Sequence, residues 1–113
     1  MQALHLMNDV QHVEAARALA QRILKEGGTN AEDRIRWGWR LVTARYPGRE
    51  ESQIVLTALR LHRDRYLGDP EAASKLINFG DSPPDPDITP NQLAAWTLVA
   101  NLLLNLDEVV NKN

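Results

Sequence analysis

Four interruptions constrain this chain more than any other feature: Gly27-Gly28, Tyr46-Pro47-Gly48, Gly68-Asp69-Pro70, and residues 81–87 with Pro83, Pro84 and Pro86. Glycine leaves a helix cheaply through left-handed backbone, while proline removes a donor and disfavours helix in the residue before it. The segments between them carry helical period. Val13, Ala16, Ala20, Ile23 and Leu24 predict a first helix over 10–26, with Asn8 or Asp9 as its cap and Arg17, Gln21, Arg22 and Lys25 mostly off the apolar face. Asn30, with Glu32 and Asp33 close behind it, caps a second helix that reaches about residue 45. Its apolar residues form two nearly opposite strips, Ile35, Trp39, Val42 and Tyr46 against Trp37, Leu41 and Ala44, and a helix with two apolar faces is expected to be sandwiched.

A third helix is predicted over 50–66, with Ile54, Val55, Ala58, Leu59, Leu61, His62 and Tyr66 in a broad apolar stripe. Asp69-Pro70-Glu71 opens a short fourth helix to about residue 78, with Gly80 as its exit. The prolines of 81–87 hold an extended path, expected to lie as an ordered strap on the surface. Thr89-Pro90-Asn91-Gln92 reads as a capping box for a last helix running to about residue 106. No strand-period alternation interrupts this pattern. The expected fold is all-α, a single irregular or orthogonal bundle of about five helices with a proline-rich strap before the last one. At 113 residues, 43% of them hydrophobic and 25% charged, the chain is long enough for one core and should fold without a partner.

The same composition narrows function. No cysteine is present, which removes disulfides, thiolate nucleophiles, zinc ribbons and c-type haem attachment. A net charge of -2 argues against a dedicated nucleic-acid binder. Residues 34–65 nevertheless hold eight arginines against Glu50, Glu51 and Asp64, while 81–108 hold five acids and no base. These regions can face each other, or the arginines can form a basic partner-binding surface. The most apolar run, residues 93–106, rises roughly 21 Å as a helix, short of the ~30 Å hydrocarbon core, so a buried helix is expected rather than a membrane span. No signal peptide is visible.

Trp39 and Trp96 fall on core-facing stripes. Trp37, flanked by Arg36 and Arg40, is the best contact candidate, because tryptophan and arginine dominate binding hot spots. His5, His12 and His62 lack a second ligand at metal spacing; His62 reads as a neutral core histidine and His12 as exposed. Asp81, Asp85 and Asp87 lack the glycine and closing glutamate of a calcium loop, and Ser52, Ser74 and Ser82 have no nucleophile elbow. Thr97, Asn101 and Asn105 form a polar ridge on the last helix, expected to be met by the strap or a neighbouring helix end. No catalytic residue, metal or cofactor is expected.

Met7-Asn8-Asp9, Val13-Glu14-Ala15-Ala16-Arg17-Ala18-Leu19-Ala20, Arg34-Ile35-Arg36-Trp37, Ser82-Pro83-Pro84-Asp85-Pro86, Leu93-Ala94-Ala95-Trp96-Thr97 and Leu104-Asn105-Leu106-Asp107-Glu108 occur in that order. Together they resemble the planctomycete-specific domain of unknown function found in large secreted proteins that often carry planctomycete cytochrome c-like domains. Val10 stands where that pattern usually has proline. The resemblance implies the C-terminal portion of a longer extracytoplasmic or secreted protein. It supplies no reaction and no haem ligand. The expected partners are upstream domains of that protein or another protein, and Leu4, Leu6 and Met7 add apolar surface for weak self-association. Two functions are consistent with these features: an accessory or interaction module without catalysis, or a small-molecule or glycan-binding domain or enzyme subdomain using Trp37, Arg36 and Arg40.

Overall fold

The computed structural model describes residues 10–112, with side chains for 12–106. Asn8 and Asp9, the expected first caps, lie outside the described residues, as do His5, Leu4, Leu6 and Met7. Among the described residues five helices succeed one another: α1 Val10–Glu26, α2 Ala31–Thr43, α3 Arg49–Gly68, α4 Pro70–Ile77 and α5 Pro90–Lys112. The all-α bundle expected from the punctuation is the fold observed.

The bundle is organised around α5, which packs against all four other helices. Leu93, Ala94, Ala95, Trp96, Thr97, Val99, Ala100 and Leu103 are all fully buried, so this helix is covered on nearly every side. Its all-round apolar character is that of a central helix, and its three alanines let neighbours approach closely. Ile23, Ile35, Trp39, Val55, Leu59, Tyr66 and Ile77 close the core from the other helices. Gly38 is needed where α2 meets this core: a Cβ there would lie 2.8 Å from Ile23 Cδ1 and 3.1 Å from Leu103 Cδ1.

Local chemistry sets most helix ends. The Asn30 side chain accepts the Asp33 N–H at 2.8 Å at the start of α2, and Asp69 accepts the Ala72 N–H at 3.1 Å at the start of α4. Gly80 takes the left-handed exit at φ 96°. At the start of α5, the Leu93 N–H donates to the Thr89 carbonyl at 2.9 Å.

Four expectations need correction. α5 runs to Lys112 rather than ending near residue 106. α2 stops at Thr43, two residues early, because Ala44 turns left-handed at φ 66° and Arg45 swings onto Glu51 of α3 with two 2.9 Å hydrogen bonds. α2 is not sandwiched: α1, α3 and α5 cover its Ile35 and Trp39 side, whereas Leu41, Ala44 and Tyr46 face solvent and Trp37 is half-buried at the edge. On α3 the core is built from Val55, Leu56, Leu59 and Tyr66, while Ile54 and Leu61 remain 66% and 65% exposed. The apolar stripe of α3 is wider than its neighbours can cover.

Candidate functional site

The outer face of α2 carries the residues singled out from the sequence. Arg36 and Arg40, one turn apart, place their guanidinium carbons 4.4 and 5.4 Å from the centroid of the Tyr46 ring. α2 ends in the left-handed turn at Ala44, and Tyr46 lies just beyond it. Trp37 takes a different partner, the Arg22 guanidinium of α1 at 5.4 Å, and leans on the core. The structure thus brings Arg36 and Arg40 together through Tyr46 and sets Trp37 beside them on the α1 flank. Tyr46, expected on the core-facing strip, is 56% exposed instead. Flat aromatic and guanidinium surfaces at low entropic cost are what recognition sites are made from.

A second polar constellation, not apparent from the sequence alone, lies between α1 and the strap. Arg17 is only 2% exposed. Its guanidinium donates to the Phe79 carbonyl at 2.8 Å, the Ser82 carbonyl at 2.7 Å and the Ser82 hydroxyl at 2.8 Å. Glu14 accepts the Asp81 N–H at 2.6 Å and the Ser82 N–H at 2.8 Å, and Gln21 accepts the Asp85 N–H at 3.0 Å. Lys25 forms an ion pair with Asp85, whose carboxylate also accepts the Asp87 N–H. Residues 14, 17, 21 and 25 recur at helical spacing, so α1 presents one polar row that satisfies backbone groups the proline-interrupted strap leaves open. The sequence reading set Arg17 mostly off the apolar face; at 100° per residue it instead shares that face with Val13, Ala20 and Leu24, and its burial obliges the guanidinium to find partners.

The row explains the local electrostatics. The Ser82 and Asp81 amides hold the Glu14 carboxyl below its ordinary range, and Lys25 does the same for Asp85. The Arg45 guanidinium and the Gly48 amide lower Glu51 to about 2. The acidic strap is met by α1, with Lys25 on Asp85, and Arg34 lines one depression with Asp87, although among the described residues no ion pair joins the strap to the arginines of 34–65. The polar ridge of α5 is also resolved locally: the buried Thr97 hydroxyl donates to the Leu93 carbonyl of its own helix at 2.7 Å, and Asn101 and Asn105 are half-buried.

The remaining candidates fall elsewhere. Trp39 and Trp96 are core residues whose buried indole N–H groups lack hydrogen-bond partners. His62 is half-buried, and burial first, then Arg65, lowers its pKa, which keeps the imidazole neutral. His12 is half-buried rather than exposed. Among the described residues no group of three or more His, Asp or Glu is arranged to hold a metal ion, and no helix is long and apolar enough to cross a membrane. A surface depression of about 410 Å³ is lined by Arg63, Leu67, Thr89, Asn91 and Gln92.

A family model for PSD1, described as a protein of unknown function (DUF1553), matches residues 1–59. The chain belongs to the PSD1 family. The PSD1 match covers α1, α2 and the first half of α3, so it contains Glu14, Arg17, Trp37, Arg36, Arg40 and Tyr46. The strap and the 93–108 segments that carried part of the sequence resemblance lie beyond it. No curated protein and no solved structure matches the chain.

Proposed function

We propose that this PSD1 chain is a helical accessory or interaction module, acting by packing against other domains or a partner protein and performing no catalysis of its own. The observation that carries this reading is the outer face of α2, where Arg36, Arg40 and Tyr46 stack in solvent beside a half-buried Trp37. The polar groups between α1 and the strap are, by contrast, occupied with holding the fold together. In this proposal the chain is the C-terminal portion of a large extracytoplasmic protein of the planctomycete-specific kind that it resembles, and the α2 face meets the upstream part.

The test is sedimentation of the chain alone and mixed with the remainder of a PSD1 protein expressed separately. Association is expected, with the Arg36→Ala/Arg40→Ala pair weakening it at least ten-fold, about 1.4 kcal/mol, while the melting curve of the chain changes little. Lack of association, together with a thermal shift on a glycan panel that Trp37→Ala abolishes, replaces this reading with ligand binding at the same face.

A further inference from the structure

The exposed face of α3 has a register unconnected with the α2 site. Glu50, Ile54, Thr57, Ala58, Leu61 and Arg65 share one side of the helix; Ala58 is half-buried and the other five are exposed. Ile54 and Leu61 are two-thirds open to solvent although both are aliphatic. These six positions are symmetric about the midpoint between Thr57 and Ala58: the small residues flank it, Ile54 and Leu61 lie equally far out, and Glu50 and Arg65 close the two ends with opposite charge.

We infer that this face is a self-complementary docking surface for a second copy of the chain, with two α3 helices packed antiparallel across a two-fold axis at Thr57 and Ala58. In that arrangement Ile54 meets Leu61 of the second copy and Leu61 meets its Ile54. Glu50 comes opposite Arg65 of the second copy at one end, and the same pair recurs at the other, as an isologous interface requires. Thr57 and Ala58 put little bulk at the axis, so the backbones can approach. A parallel pairing would set Glu50 against Glu50 and Arg65 against Arg65, and the charges oppose it. One helix-to-helix contact buries less than the ~1,600 Å² of a standard interface, so dimers form at concentrations on the order of 100 μM. The inference stands apart from the α2 proposal, since neither Trp37 nor its neighbours take part.

The experiment is sedimentation equilibrium across a concentration series with paired charge reversals. Glu50→Arg and Arg65→Glu should each weaken dimerisation roughly ten-fold, whereas an equal mixture of the two should restore it, because both end pairs are then attractive. A geometric check uses the absence of native cysteine. Under mild oxidation Thr57→Cys should give a disulfide-linked dimer, while Ile54→Cys should cross-link to Leu61→Cys and not to itself. Circular dichroism of each variant should match the parent, because the altered side chains are exposed. A monomer up to about 1 mM, unrestored association in the mixture, or self-linking of Ile54→Cys as fast as Thr57→Cys would overturn the inference; in the first case the α3 face is left to another protein.

Discussion

The two sides of this bundle use arginine in opposite ways. Along the strap, Arg17 is buried and donates to the Phe79 carbonyl and to the carbonyl and hydroxyl of Ser82. On the outer face of α2, Arg36 and Arg40 are exposed and rest on an exposed tyrosine. The first side converts a segment with three prolines into part of the fold; the second leaves planar groups facing solvent. The contrast separates side chains that maintain structure from those available for recognition, and it can be broken by experiment.

The largest effect is expected at Arg17. Arg17→Met keeps the apolar stem and leaves the Phe79 and Ser82 carbonyls without their guanidinium donor, so stability should fall by about 3 kcal/mol in denaturant titrations. Arg36→Met on the other side should cost under about 1 kcal/mol. Equal losses would end the distinction. Gly80→Ala comes next, at about 2 kcal/mol: its φ of 96° disfavours a side chain, and a Cβ would lie 2.6 Å from Glu14 Oε2.

Acid should then unlatch the strap before it affects the α2–α3 link. Glu14, Asp85 and Glu51 all have folded pKa values below their ordinary ones, so each stabilises the fold above its ordinary value and loses that contribution as pH falls through the folded one. The melting temperature should be level from pH 7 to about 5 and decline below 4.5, the ordinary value for Glu14 and Glu51. The Arg45 link persists until about pH 2, where Glu51 protonates. Glu14→Gln should flatten the upper part of the decline, and an unchanged profile would contradict the assignment. The smallest effect is a gain: Ala44→Gly should stabilise by roughly 0.5–1 kcal/mol in thermal melts, because alanine at φ 66° carries a strain that glycine does not.

Features governed by local chemistry were legible in the sequence. The bounds of α1 and the cap and proline that open α4 depend on neighbours in the chain, and they stand where the residues placed them. Features that depend on distant partners were not. The early end of α2 accompanies an Arg45 and Glu51 pair that bridges to the next helix, and the exposure of Ile54 and Leu61 depends on how far the neighbouring helices extend. The α5 ridge was expected to meet the strap or a neighbouring helix end because i, i+4 spacing shows which residues align but not that its threonine, Thr97, bonds to its own helix. For the candidate site, Trp37, Arg36 and Arg40 could be named from sequence, whereas Tyr46 and Arg22 joined them only through a turn and a neighbouring helix.

The division between the two sides is tested most directly by chemical-shift mapping of the isotope-labelled chain, mixed with the separately expressed remainder of a PSD1 protein. Signals of Arg36, the Trp37 indole, Arg40 and Tyr46 are predicted to move, while the Asp81, Ser82 and Asp85 amides held by α1 stay in place. Movement of those strap amides with an unchanged α2 face would contradict the division.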